Sequence, residues 1–370
     1  MFFRDVIGQD EIKQHLRSEV EEGRIPHARL FCGPSGSGKM AMALAFARYL
    51  CCTDRKGGDA CGVCPSCVKF NKLVHPDIHF SFPVKSASNV SDDFLPQWRE
   101  LLINSPYFSF SNWMESMDVE KQQPVIGVKE SDEIARKLNL KSSAGGYKVM
   151  IIWLPEKMNQ QCANKLLKLL EEPPTQTLFL LLSEQPEALL ATILSRTQRL
   201  DFRKLPQEII AEALKERFAL QEQDARQVAR MAGGNYLKAL ETIHVNEENK
   251  QFFELFVSLM RLAYQRKLRE MKQWSEQLAA FGREKQKGFL LYAQHALREN
   301  FIFNLKREEL VYMTAEEQNF SQRFSPFVNE KNVIGIMEEL TLAQQHIEQN
   351  VNAKMVFFDF SLKMIMLLKQ

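Results

Sequence analysis

The sequence predicts a parallel α/β domain built around a phosphate-binding loop, then a small helical unit, then an all-helical C-terminal domain. Three observations carry this. The apolar run Ala28-Arg29-Leu30-Phe31-Cys32 leads into Gly33-Pro34-Ser35-Gly36-Ser37-Gly38-Lys39, and a helical pattern follows over 40–50. Strand, glycine-rich loop and helix are the context that such a loop requires. Two more continuous apolar runs, 148–154 and 177–182, read as strands buried on both faces, and the helices between them imply a parallel sheet. From Pro206 onward the strand signals give way to helical spacing.

In chain order, residues 1–50 read as helix, strand, loop and helix. A cysteine-rich loop spans 51–67. An insertion with several Ser, Pro and Phe residues runs from about 81 to 127 and receives no functional assignment. A helix is predicted near 128–140. Another covers 159–170, where Ala163, Leu166, Leu167 and Leu170 have helical spacing. Glu171-Glu172-Pro173-Pro174 ends it, because proline lacks the backbone donor and restricts the residue before it. Residues 206–246 read as a three-helix unit with a turn at Gly233-Gly234-Asn235, and amphipathic stretches such as 252–268 and 354–368 follow. The predicted domains are therefore 1–204, 205–247 and 248–370.

The chain has 370 residues and a formal net charge of only +2, so no global field draws it to nucleic acid. The N-terminus carries Arg4, Asp5, Asp10 and Glu11 and lacks an apolar stretch of signal-peptide length. No apolar run reaches the roughly 18 residues of a membrane helix. The expected location is cytoplasmic, with no membrane partner. Thiols stay reduced there, and clustered cysteines point to metal.

Cys52, Cys61, Cys64 and Cys67 follow the pattern C-x8-C-x2-C-x2-C. Two overlapping C-x-x-C steps bring three thiolates to one ion, and the fourth comes from the end of the preceding helix. A closed four-cysteine set suits Zn2+ and leaves no open position for catalysis, so the site is expected to be structural. Free or redox-active thiols are the competing reading, and Cys51 could replace Cys52. Cys32 and Cys162 read as buried apolar residues.

Gly33–Lys39 fits G-x-x-x-x-G-K, in which Gly33, Gly36 and Gly38 let backbone N–H groups face phosphate and Lys39 adds charge. The following residue should be Ser or Thr, to bind magnesium, but it is Met40, a soft and poor ligand for a hard cation. The strand at 149–152 should end in an Asp for magnesium and a Glu that positions water; Trp153 and Leu154 stand there instead. Glu156 lies two residues beyond and is expected to point elsewhere. Intrinsic hydrolysis is expected to be absent. Residual ATP or ADP binding and a retained loop with no nucleotide both stay open.

These pieces together resemble the clamp-loader family of AAA+ proteins, of the bacterial DNA polymerase III gamma/tau and delta-prime type. Phe3-Arg4-Asp5-Val6-Ile7-Gly8-Gln9 resembles the family's N-terminal segment near the nucleotide base, and Cys52 to Cys67 its zinc module, whose spacing favours Cys52 over Cys51. Asn164-Lys165-Leu166-Leu167-Lys168-Leu169-Leu170-Glu171-Glu172-Pro173-Pro174 is similar to a highly specific family segment. Ile193-Leu194-Ser195-Arg196-Thr197 resembles the S-R-C motif, with Thr197 in place of Cys, and Asn350-Val351-Asn352-Ala353-Lys354 is similar to a motif of the helical collar.

The resemblance implies an AAA+ domain, a helical lid and a collar domain. It also implies a role in DNA replication, loading a sliding clamp on primer–template DNA together with gamma/tau and delta subunits. Gamma/tau keeps the P-loop Thr, the Asp-Glu pair and a lid arginine; Met40, Trp153, Leu154 and Leu237 stand at those positions, a pattern that fits the delta-prime branch. The resemblance also places Arg196 at a subunit face, reaching a neighbour's ATP. A guanidinium offers planar, bidentate donors to phosphate; the bland reading is a local pair with an acid such as Glu171. Lys165 and Lys168 are expected either to face DNA or to form a solvated helix face. The rival functions are an active gamma/tau-type ATPase and a stand-alone zinc-containing DNA-binding protein, whose binding would fall steeply with salt.

Overall fold

The structure is a computed structural model that describes all residues except 87, 120–122, 305–312, 314 and 370, and except the side chains of 244–246 and 315. Small parts of the predicted insertion and of the C-terminal domain thus lie outside the described residues. The chain divides into two compact units, Met1–Thr242 and Ile243–Gln370.

The first unit is α/β. Helix α1 (Asp10–Glu21) precedes β1 (Ala28–Cys32), and α2 (Lys39–Cys51) leaves the glycine-rich loop; α3 (Pro65–Asn71) and β2 (Ile78–Ser81) follow. After α4 (Leu95–Asn104), α5 (Phe110–Ser116) and α6 (Val128–Asn139) come β3 (Lys148–Trp153), α7 (Gln160–Glu171), β4 (Thr177–Ser183), the single turn α8 (Ala191–Leu194) and β5 (Gln198–Asp201). The five strands form one parallel sheet in the order β2-β3-β4-β1-β5. β1, β3 and β4 are buried along their whole length, as central strands covered on both faces must be. One face packs Leu30, Met150, Ile152, Phe179 and Leu181 against Ile134, Leu138, Leu166 and Leu170 of α6 and α7.

The sequence pattern predicts neither β2, which ends where the insertion begins, nor β5, Gln-Arg-Leu-Asp, which is largely exposed at the sheet edge. The insertion is itself folded. Val84 and Val125 bond to each other across its base, each N–H donating to the other's carbonyl at 3.0 Å. Its α4 and α5 bury Trp98 and Trp113 completely.

After β5 come α9 (Gln207–Phe218) and α10 (Glu222–Ala232), and then α11 (Tyr236–Gln265). The third helix of the predicted three-helix unit therefore does not stop at 246. The polar stretch Asn246-Glu247-Glu248-Asn249-Lys250 lacks a helix breaker, and the helix continues through it. The second unit is helical: the rest of α11, α12 (Leu268–Ala279), α13 (Arg283–Asn304), α14 (Ala315–Phe324), α15 (Val333–Glu348) and α16 (Ala353–Leu367). Phe256, Leu259, Met271, Phe289, Leu340 and Phe357 are among the residues that form its core. Among the described residues no helix is long and apolar enough to cross a membrane.

Candidate metal centre and phosphate-binding loop

Helix α2 carries a candidate site at each end. At its C-terminal end Cys52 is the capping residue, Cys61 and Cys64 lie on the following loop, and Cys67 lies in the first turn of α3. Their four sulfurs lie within 4.8 Å of one another, and Cys52 Sγ is 4.0 Å from Cys64 Sγ. Sulfurs at the corners of a zinc tetrahedron, each about 2.3 Å from the ion, would sit about 3.8 Å apart, so the donor set fits such an ion. The backbone favours thiolates as well: Cys61 N–H donates to Cys52 Sγ at 3.3 Å, Cys64 N–H to Cys61 Sγ at 3.3 Å and Cys67 N–H to Cys64 Sγ at 3.4 Å. Cys51 lies outside the group, its Sγ facing the Tyr147 carbonyl at 3.7 Å. Cys32 and Cys162 are buried in the sheet core.

The module holds the start of the chain. Asp59, buried between the cysteines, accepts from Phe3 N–H at 3.2 Å, Arg4 N–H at 3.1 Å and Ala60 N–H at 2.8 Å. Phe2 packs on the cluster with the Arg48 guanidinium 3.8 Å from its ring centre. Arg48 in turn donates to the Cys67 carbonyl at 3.4 Å and to Asn71 Oδ1 at 2.9 Å.

At the other end of α2 the glycine-rich loop has the expected shape but is filled by its own chain. Lys39 is 6% exposed, and its Nζ donates to the Gly33 and Pro34 carbonyls at 2.7 and 2.8 Å. Burial lowers its pKa, while Glu184 and Glu156 pull it back up. Asn235, at the head of α11, covers Gly36 so closely that a Cβ there would lie 1.8 Å from Asn235 Oδ1, and Tyr236 N–H donates to the Gly36 carbonyl at 3.4 Å. Tyr107 of the insertion lies against Gly38, with its hydroxyl 3.5 Å from the place of a Cβ. That hydroxyl accepts from Ile7 N–H at 3.0 Å, and the ring meets Tyr236 edge-on at 4.9 Å. Burial pushes the Tyr107 phenol up to about 12. Gln9 closes the rim, its Nε2 donating to the carbonyls of Ser37 at 3.2 Å and Arg203 at 2.7 Å.

The positions expected to hold the acidic pair are apolar and buried. Trp153 joins an aromatic cluster with Trp98 at 5.2 Å and Phe108 at 5.1 Å, and Leu154 is 3% exposed. Glu156 is engaged by the backbone just past β4, its Oε1 accepting from the N–H groups of Glu184 and Gln185 at 2.9 and 3.2 Å. Leu237 is buried beside Gly36. Motif reading found the loop and the cysteines; it missed Tyr107, Asn235 and Asp59, whose contacts cross long sequence separations.

Arg196 lies between α8 and β5, about one-third exposed, and its Nη2 is 2.6 Å from Glu171 Oε1. Nη1 donates to the Thr192 carbonyl at 3.0 Å and to Ser195 Oγ at 3.3 Å. In the isolated chain, then, the local pair is made. Lys165 pairs with Asp132 at 2.6 Å, and Lys168 is exposed.

The family model described as "DNA polymerase III, delta subunit" matches residues 8–206, more than half of the chain. The chain belongs to this family. Relatives include the DNA polymerase III subunit delta' of Bacillus subtilis, 29% identical over 70% of this chain and 66% of that one. The delta' subunit of Escherichia coli is 30% identical over 60% and 56%. Bacillus subtilis DNA polymerase III subunit tau is 29% identical over 56% of this chain and 30% of its own length. The match thus spans less than two thirds of these relatives. Both delta' and tau subunits are among these relatives.

Proposed function

We propose that this family member is the non-hydrolysing, delta-prime-type AAA+ subunit of a clamp loader in the cytoplasm. It would act with gamma/tau and delta subunits to place a sliding clamp on primer–template DNA. In this reading residues 1–204 are the AAA+ domain, 205–247 the lid and 248–370 the collar that joins the subunits. The observation that carries the reading is a contrast within the α/β unit. The magnesium positions of the chain's own loop are Met40, Trp153 and Leu154, all buried, whereas Arg196 stays polar and accessible at the sheet edge. Hydrolysis needs a metal and a positioned water, and neither has a ligand at those positions. An accessible arginine can still serve a phosphate on another subunit.

Cys52, Cys61, Cys64 and Cys67 would hold one structural Zn2+, which would supply cross-linking and no reaction chemistry. Arg196 would leave Glu171 for a neighbour's γ-phosphate; an exposed ion pair of this kind is worth about 0–1 kcal/mol, little obstacle to the exchange.

Reconstitution with gamma/tau, delta, clamp and primed DNA tests this. The isolated chain should hydrolyse no ATP, and the full set should assemble and load clamps. Arg196→Ala should leave assembly unchanged and slow ATP turnover at one site by on the order of 10³–10⁵, with only a partial fall in the total because other sites remain. Arg196→Lys should rescue poorly, lacking the planar fork. Normal loading by an assembled Arg196→Ala complex would return Arg196 to a purely local role.

A further inference from the structure

We propose that Tyr107 is a built-in plug of the nucleoside part of the phosphate-loop site, and that a purine nucleoside di- or triphosphate binds this chain far more tightly once that tyrosine is removed. The inference deepens the non-hydrolysing part of the function proposed above and concerns this chain alone.

Phosphates held by a glycine-rich loop lie against its amides and the N-terminus of the following helix, here α2. The sugar and base must then leave past the loop's edge into a slot that is apolar on its faces and offers backbone donors at its rim. Tyr107 stands in such a place. Its hydroxyl lies against Gly38, the last glycine before α2. Its ring is 5% exposed and packs on Tyr236, which is fully buried. Its oxygen accepts from the Ile7 amide, much as a ring nitrogen of a purine would. A flat aromatic body with an acceptor at its tip thus uses the stacking surface and the donor that a base would need.

The plug is held from behind. Ser105 fixes the backbone of Tyr107, its Oγ donating to the Tyr107 carbonyl at 3.0 Å and accepting from Tyr107 N–H at 3.1 Å. The next residue, Phe108, packs on Trp98 and Trp153. One short segment between α4 and α5 therefore does two things. Phe108 wraps the tryptophan that replaces a metal ligand, and Tyr107 fills the space beside the loop. The insertion, without a role in the sequence reading, becomes the element that turns a nucleotide site into a packed core.

Binding of a fluorescent ADP analogue to the isolated full chain is the test, with no clamp, DNA or partner present, so that a failed reconstitution leaves it unaffected. If the open form is populated at about 1%, apparent affinity is reduced about 100-fold. Tyr107→Ala should raise affinity by about that factor, with or without magnesium, since Met40 supplies no ligand. Lys39→Ala added to Tyr107→Ala should abolish the gain, and the opened variant should still hydrolyse nothing. Tyr107→Phe keeps the ring, so it should still exclude the analogue while the Ile7 amide exchanges faster with solvent. Two results overturn the proposal: native protein that binds as tightly as Tyr107→Ala, or a folded Tyr107→Ala with native metal content that binds no better than native protein. Should Tyr107→Ala fail to fold, hydrogen exchange of the native chain in millimolar ATP decides. Unchanged protection over residues 7 and 33–39 supports the plug, and ATP-dependent protection there refutes it.

Discussion

The cysteine cluster and the glycine-rich loop sit at opposite ends of the same helix, yet they have diverged. At the C-terminal end of α2 four sulfurs converge, with three backbone N–H groups donating to them. At the N-terminal end the loop keeps its backbone shape, but Lys39, Asn235, Tyr236 and Tyr107 close it. A loop that joins a central strand to a buried helix has a structural duty independent of phosphate, and close approaches at Gly33 and Gly36 require glycine there whether or not phosphate binds. At the cysteine end the four donors lie within 4.8 Å of one another, an arrangement that suits one ion.

The largest effect should come from the cysteine end. Metal binding by such sets is folding energy, on the order of 10–16 kcal/mol in small zinc domains. Cys64→Ser, or a strong chelator, should release the metal and free the N-terminal segment that Asp59 holds. Metal analysis should give about one zinc per native chain and little in the variant, and exchange of the Phe3 and Arg4 amides should accelerate. A metal-free chain with unchanged melting temperature would erase the contrast between the two ends.

Trp153→Ala should come next. The residue is 5% exposed and packs against Trp98, Phe108 and Phe110, and truncating a buried tryptophan costs about 3–5 kcal/mol. Denaturant unfolding measures it. A change under about 1 kcal/mol would mean that the insertion does not depend on Trp153 for its packing.

What the sequence made legible follows from the same physics. β1, β3, β4, α2 and α7 were readable because central strands are continuous apolar runs, and because a helix with Asn159 as its cap and Pro173 after its end marks its own limits. β5 was not readable. Gln198, Arg199 and Asp201 are exposed, and the strand exists because β1 pairs with it. The cysteine site was readable because its ligands lie within sixteen residues of chain. The filling of the loop was not, since Tyr107 reaches Ile7 across 100 positions and no local pattern records such a contact.

The smallest effect is expected at Lys39, although in a working phosphate loop it would be among the most sensitive positions. Its ammonium is buried, 3.8 Å from Glu184, and bonded to two carbonyls of its own loop. Removing one member of a charge pair is costly where the other stays buried, but Glu184 is about one-third exposed and can be hydrated, so the desolvation relieved at Lys39 offsets much of what is lost. Lys39→Met should therefore change stability by no more than about 1 kcal/mol at neutral pH and, in the proposed complex, leave clamp loading intact. Burial lowers the folded-state pKa of Lys39 below the ordinary value of a lysine. The charged form thus costs folding energy at neutral pH, and that cost fades as pH rises through the window between the folded and unfolded values. Native protein should gain stability relative to Lys39→Met as pH climbs toward that upper value, measured by urea unfolding at two pH values. A loss of several kcal/mol, or abolished clamp loading, would mean that the lysine still meets a phosphate and that the loop is not closed in the working complex.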